Sequence, residues 1–541
     1  MQTSIKSVVR ARQRFLCYTV AINIWGYSVM HIEFYKLNGH EYGRLRDSVR
    51  KGGSVVHATT ENLGRVLDRS RLVFKSRKRG VFQYHPDTGS FTGAPDDFMA
   101  RAVRRNAREQ MIVDFGNANF IDRYIANRGL WPIIESVGFG NPDTFKALLL
   151  YYILEGRSNS HALDWYEGSY ARILYPRALM ESQRISDMLA SIGREECCRR
   201  FFSAYVAWLN GGTAASSKGA ILIDSTGLPN DMRLPVTAVS THNGETSREV
   251  RLIYVVQRGT GMPIYMRCVP GSIVDVSTLL ATIAELKAMK VNTKFAILDA
   301  GCLTLDSMED LLDQKISFLS RVKRNWKIYV ETVAEHLPGL ECEKNLQIHH
   351  GRIIYIKRVE KALSSGRRIY CYLGLDDERR ECEKRQLARS AEEDQIPKKE
   401  IARRISMMGV FMLVSSRRIA VDDLLPLYYT RQDIEQVFDI TKGHAKALPL
   451  CVQSEGTFRG HLLMVFISTI VLRMLQQELK GTRFSLDDVM ELMRNQKAKV
   501  FEDEVIPSEA GRRQRELYRL AGIREEVSIP RRPSAEPRVY A

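Results

Sequence analysis

The chain has 541 residues, enough for two to four domains rather than one. Hydrophobic residues make up 44% and charged residues 26%, the values of a globular protein with a sizeable core and not of a disordered one. Lys and Arg outnumber Asp and Glu by 80 to 63, a formal charge of +17, which favours a polyanionic partner through counterion release from phosphate backbones.

In chain order, the first 30 residues read as an extension. Arg10, Arg12 and Arg14 precede an apolar run over residues 15–30 in the manner of a signal peptide, but Asn23 and Trp25 interrupt it and no small-residue cleavage site follows. The expectation is that Met30 is the true start. Residues 31–95 alternate short apolar runs with turn signals such as Asn38-Gly39 and Lys51-Gly52-Gly53, a small β-rich unit. Residues 96–210 turn helical and form the expected DNA-binding region. There Arg101, Arg104, Arg105 and Arg108 recur at helical spacing. Such a stripe is either a solvated helix face or a contact to the DNA backbone.

A small-residue linker ends at Gly219, and a sheet pattern follows over residues 217–322. Its order is strand, strand, strand, helix, strand, helix, strand, with strands at 220–224, 250–256, 263–269, 294–299 and 316–322. That order matches an α/β domain of the ribonuclease H kind, whose mixed sheet carries acids at its strand ends. Residues 323–405 are highly charged with short β-like runs, and are expected to be a β-rich insertion. Residues 406–480 return to the core, with a strand at 409–414 and one helix over about 423–442 stopped by Gly443. Residues 481–541 are a helical region with a basic tail.

Nine scattered cysteines contain no C-x-x-C pair, and adjacent Cys197 and Cys198 suit neither zinc nor an easy disulfide, so reduced thiols are expected. The apolar stretch 462–475 contains Arg473 and falls short of the roughly 20 residues that span a bilayer, so a core helix and no membrane partner are expected.

The candidate chemistry lies in three acids. Asp224 closes the run Ile221-Leu222-Ile223, and Asp299 closes Phe295-Ala296-Ile297-Leu298. A carboxylate ending an apolar strand is a turn or cap acid, or a catalytic one. Asp275 is a rival explained by helix capping. The third element, Tyr428-x2-Arg431-x3-Glu435-x6-Lys442, places four polar groups within about a 60° arc of a single helix. An Arg–Glu surface pair accounts for Arg431 and Glu435 but not for Tyr428 or Lys442. Beside an apolar seam these groups need partners, and metal ions and DNA phosphates would supply them.

Asp-Ser-Thr after a strand, Leu-Asp-Ala-Gly after a later strand and the Tyr-Arg-Glu-Lys helix together resemble the DDE transposases of the insertion-sequence-four superfamily. The runs around Pro270–Asp275, Lys51–Asp68 and Arg459-Gly460-His461 are similar to its insertion-sequence-1634 branch. The resemblance implies that Asp224, Asp299 and Glu435 bind two Mg²⁺, with Mn²⁺ able to substitute. It implies that Tyr428, Arg431 and Lys442 hold phosphates of the element's end. Residues 323–405 would contact the cleaved end, and Trp326 there could stack on an unpaired base, although a packing Trp is the default. The implied activity is cut-and-paste transposition in the prokaryotic cytoplasm. Its partners are terminal inverted repeats, target DNA and a second copy of the chain on DNA. The alternatives are a related nuclease without strand transfer and a transposase-derived repressor without catalysis.

Overall fold

The computed structural model describes residues 29–94, 111–211 and 220–531, apart from 38–39, 52–53, 77, 231–233, 236, 243–244, 272–274, 292, 300, 302, 394–395, 446, 448–451 and 453. The apolar segment before Val29 and the arginine stripe Arg101, Arg104, Arg105 and Arg108 lie outside the described residues. The chain divides into two compact units, Met1–Gln110 and Met111–Ala541.

The first unit is an antiparallel meander of six strands: β1 (Val29–Leu37), β2 (His40–Lys51), β3 (Ser54–Asp68), β4 (Val73–Ser76), β5 (Gly80–His85) and β6 (Ser90–Gly93). One face buries Ile32, Leu45, Leu63, Phe74, Phe82 and Tyr84. Gly64 (φ +93°) lies so close to the Lys75 carbonyl that no side chain fits there.

The second unit opens with β7 (Met111–Asp114) and seven helices: α1 (Gly116–Asn127), α2 (Trp131–Glu135), α3 (Pro142–Leu154), α4 (Ala162–Gly168), α5 (Ala171–Leu174), α6 (Ser182–Ile192) and α7 (Glu195–Gly211). These share a core with the chain's last elements, although more than 240 residues of sequence separate α7 from them. The last elements are α15 (Glu455–Leu479), α16 (Leu486–Arg494), β18 (Lys497–Val500), β19 (Glu504–Pro507), α17 (Arg512–Leu520) and β20 (Ile529–Pro530). Pairing of β7 with β18 closes the four-stranded sheet β20-β19-β18-β7. Among the described residues α15 alone is long and apolar enough to cross a membrane, but 89% of its most apolar window is buried inside the protein, the setting of a core helix. Gly460 on α15 permits a close crossing with α6, since a Cβ there would strike the Leu189 carbonyl.

Between these flanks lies a ten-stranded mixed sheet. Its first half is β8 (Ala220–Pro229), β9 (Ala238–His242), β10 (Glu245–Gln257), β11 (Pro263–Pro270), α8 (Asp275–Ala288), β12 (Phe295–Leu298), α9 (Leu305–Asp313) and β13 (Ser317–Arg321). Spatial order is β11-β10-β8-β12-β13. β10 is antiparallel to both neighbours on this path, and β12 is parallel to β8 and β13. The period-2 alternation of the strands feeds two cores. Leu222, Tyr254, Ile297 and Leu319 face one, while Ile223, Val255, Leu298 and Phe318 face the other.

Residues 323–405, expected to be β-rich, contribute more helix than strand: α10 (Lys327–His336), β14 (Leu346–His349), β15 (Arg352–Ala362), β16 (Arg368–Asp376), α11 (Asp377–Glu393) and α12 (Lys398–Ile405). Their strands extend the main sheet, because β17 (Val410–Ser415) pairs with both β13 and β16.

The single helix expected over 423–442 is instead α13 (Val421–Tyr429), α14 (Gln432–Asp439) and a π-turn at Ile440–His444. The break has a local cause. Thr430 Oγ1 takes the Leu427 carbonyl at 2.7 Å, and the backbone tightens so that Arg431 N and Asp433 N bond three residues back. At the far end Ala445 N bonds the Ile440 carbonyl five residues back, which widens the turn and removes Lys442 from the expected helix face.

Candidate active site

Strand register builds the site. The last β8–β12 pair is Ile223 with Leu298, so the next residues, Asp224 and Asp299, stand side by side where β12 ends and its pairing with β8 stops; β8 itself runs past the expected end at 224 to Pro229, with Asp224 opposite Tyr254 of β10. The β12–β13 pair Leu298 with Ser320 likewise sets Arg321 beside Asp299. Ser320 Oγ donates to the Asp299 carbonyl at 3.1 Å and fixes that end. After the loop beyond Asp299, Thr304 and Ser307 form a reciprocal cap that starts α9.

Both carboxylates meet one guanidinium. Arg431 Nη2 donates to Asp224 Oδ2 at 2.7 Å, and Nη1 donates to Asp299 Oδ1 at 2.7 Å and to the Tyr428 hydroxyl at 3.0 Å. The Arg431 and Asp224 side chains are 15% and 13% exposed, and Asp299 is 39% exposed. Burial pushes the Asp224 carboxyl up to about 6, against the lowering effect of Arg431. Burial opposes the charge on Arg431, yet Asp224, Tyr428 and Asp299 together hold the guanidinium above its ordinary value. Burial likewise raises the Tyr428 hydroxyl.

Two buried polar clusters fix α14. Arg473, on α15 and 3% exposed, donates to the Gly261 carbonyl at 3.0 Å, to Asp433 Oδ1 at 2.8 Å and to the Gln436 side chain. Further along, Thr441 Oγ1 lies 3.1 Å from the Tyr254 hydroxyl and 3.3 Å from Thr469 Oγ1.

Of the residues singled out in the sequence, Asp224, Asp299, Tyr428 and Arg431 come together. Glu435 lies one turn past Arg431, exposed and without a hydrogen bond or ion pair among the described residues. Lys442 is exposed on the π-turn. Trp326 precedes α10, half-buried against the core, the environment of a packing tryptophan. Among the described residues no three Asp, Glu, His or Cys side chains stand close enough to form a metal-binding group. The two aspartates nevertheless fit a cation: they are hard oxygen donors that already share one, the guanidinium of Arg431. Sequence reading passed over Arg321, the last residue of β13, whose only signal is a basic residue closing the short run Phe318-Leu319-Ser320. It also left Arg473 without a role, although a lone arginine in an apolar helix must find buried acceptors.

Residues 215–471, a little under half of the chain, match the family model described as "Transposase DDE domain". That span contains Asp224, Asp299, Tyr428, Arg431, Glu435 and Lys442, with Arg473 just beyond it, and the match supports a DDE transposase. No curated protein matches the chain. Among solved structures, the chain is similar to the piggyBac transposase synaptic complex with hairpin DNA. The identity is 13% over 66% of this chain and 70% of that one, with a TM-score of 0.35.

Proposed function

We propose that this protein is a transposase of the insertion-sequence-four superfamily, 1634-like branch, which cuts and rejoins DNA at the terminal inverted repeats of its element. The observation that carries this reading is the convergence of Asp224 and Asp299 on Arg431 within the segment that matches the transposase domain. The order β11-β10-β8-β12-β13, antiparallel then parallel, supports a ribonuclease H-like core beneath it.

In this reading Asp224 and Asp299, with Glu435 as third carboxylate, would hold Mg²⁺ or Mn²⁺. Such ions, when bound, activate the attacking oxygen and stabilise the leaving oxygen of a phosphodiester. The chain's own part is electrostatic. Arg431 bonds both aspartates at rest and offsets part of their charge, and with cations held there its guanidinium would be free to meet a DNA phosphate. Tyr428, hydrogen-bonded to Arg431, orients it, and exposed Lys442 adds a second phosphate contact. In the first step a water oxygen bonds to phosphorus at the element's end, and the 3′ oxygen leaves with the electron pair and takes up a proton. In the second, that 3′-hydroxyl oxygen attacks a target phosphodiester and expels another 3′ oxygen. Target DNA and a second copy of the chain complete the partners.

The test is strand cleavage of labelled DNA carrying the element's own flanking repeats with Mg²⁺, comparing the natural protein with Glu435→Gln. Cleavage by the natural protein alone supports Glu435 as a ligand, and joined products select transposase over nuclease. Equal cleavage by both discards Glu435. Binding without cleavage by either selects the repressor.

A further inference from the structure

Beside the acids stands a group of arginines with too few carboxylates. We infer that Arg321, Arg324 and Arg379 form a second phosphate site, which grips the DNA backbone next to Asp299. The inference rests on the DNA-cutting reading above and adds a subsite to it.

Three observations carry it. First, strand register sets Arg321 beside Asp299 at the strand ends, so whatever the acids act on lies next to this guanidinium. Second, Arg324 and Arg379 converge on a single oxygen. Glu383 Oε1 accepts from Arg379 Nε at 2.7 Å and lies 3.5 Å from Arg324 Nη2, while Oε2 accepts from the Gly409 backbone at 2.9 Å. One carboxylate therefore serves two arginines. Third, the half-buried Arg321 guanidinium has no hydrogen bond or ion pair among the described residues, and Asp299 is already engaged by Arg431. Burial, followed by the charge of Arg379, lowers the Arg321 value, which agrees with crowding by like charges.

Like charges held together on rigid elements are relieved by an anion. A phosphodiester offers two unesterified oxygens that match the planar guanidinium fork. The site is distinct from Tyr428, Arg431 and Lys442, because its residues come from the end of β13, the loop after it and α11. It would hold a phosphate flanking the one at the acids and thereby help to fix which bond is presented.

The test measures binding of a short fluorescent DNA duplex of arbitrary sequence over a series of salt concentrations, in EDTA, with the full-length protein. Arg321→Gln and Arg379→Gln are each expected to weaken binding several-fold at low salt and to reduce the slope of log affinity against log salt by about one. Glu383→Gln, which frees Arg324 and Arg379, is expected to tighten binding and steepen the slope. It decides the matter if the arginine variants do not fold. Unchanged slopes in folded variants overturn the subsite while the transposase reading stands. No duplex binding by the natural protein overturns both. A parallel melting series in phosphate against chloride at matched ionic strength separates the two sources of the anion. Protection of the natural protein but not of Arg321→Gln by phosphate, with DNA slopes unchanged, would assign the site to a free anion and overturn the DNA contact.

Discussion

Replacing Asp224 by Asn isolates the energetic strain of the site. In the folded protein, burial raises this carboxyl from 3.8 to about 6. The folded state therefore holds a proton that the unfolded chain has released between those pH values, and stability falls as pH rises through that window. At ~1.36 kcal/mol per pH unit, the loss completed by neutral pH is about 3 kcal/mol. Asn carries no proton and suffers no such loss, but it leaves Arg431 with Asp299 as its remaining carboxylate, a constant penalty of about 1–2 kcal/mol. The stability of Asp224→Asn relative to the natural protein should therefore climb by about 2.4 kcal/mol from pH 4 to pH 7 and pass from deficit to surplus. Urea unfolding in EDTA at stepped pH, followed by tryptophan fluorescence, measures the difference. A difference that stays flat across the window would refute the claim that burial dominates this carboxyl.

Other perturbations reach the site from further away. Arg473→Met removes the buried cation that ties α14 to the β10–β11 turn, and should cost about 3 kcal/mol in denaturant unfolding, with Asp433→Asn much milder. Thr441→Val cuts the Tyr254–Thr469 cluster, and a loss of about 1–2 kcal/mol in the same assay is expected. Gly460→Ala must push α15 away from the Leu189 carbonyl, so a drop of about 1–3 kcal/mol should appear in its melting curve, and none if the crossing is loose. Mg²⁺ added to the natural protein near pH 6 should displace a proton from Asp224, seen as acidification of a weakly buffered solution that Asp224→Asn lacks.

Asp224 and Asp299 were legible because strand chemistry is local. An acid closing a run of four apolar residues marks where a buried strand leaves the core, and parallel register then makes two such places neighbours, although β8 itself continues past Asp224 to Pro229. Arg321 ends β13 too, but Ser317 and Ser320 interrupt the apolar run before it, so its place beside Asp299 carries a weaker local mark. The four-residue helix face was less legible because it assumed 100° per residue throughout. Thr430 tightens the chain on one side and the π-turn at Ile440–His444 widens it on the other, and neither follows from spacing. The joining of β15 and β16 to the main sheet rests on β17 pairing with strands roughly 40 and 90 residues earlier, a tertiary choice with no local signal.

The separation of Glu435 from the two aspartates follows from the same electrostatics. Arg431 offers one charge and already satisfies two carboxylates, with both terminal nitrogens committed at 2.7 Å. A third carboxylate drawn into that partly buried space would meet net negative charge and lose its hydration with no donor to replace it. On the exposed turn of α14 it keeps its water instead. Divalent cations invert this balance, because they bring more charge than Arg431 does and require further oxygen ligands. The resting arrangement thus predicts an order of assembly. With a cation held by the aspartate pair, Arg431 would be free to leave it and Glu435 would join as a later ligand. Glu435→Gln should accordingly weaken Mn²⁺ binding less than Asp224→Asn does, as read by titration of the paramagnetic ion. Equal losses would mean that the three carboxylates assemble together.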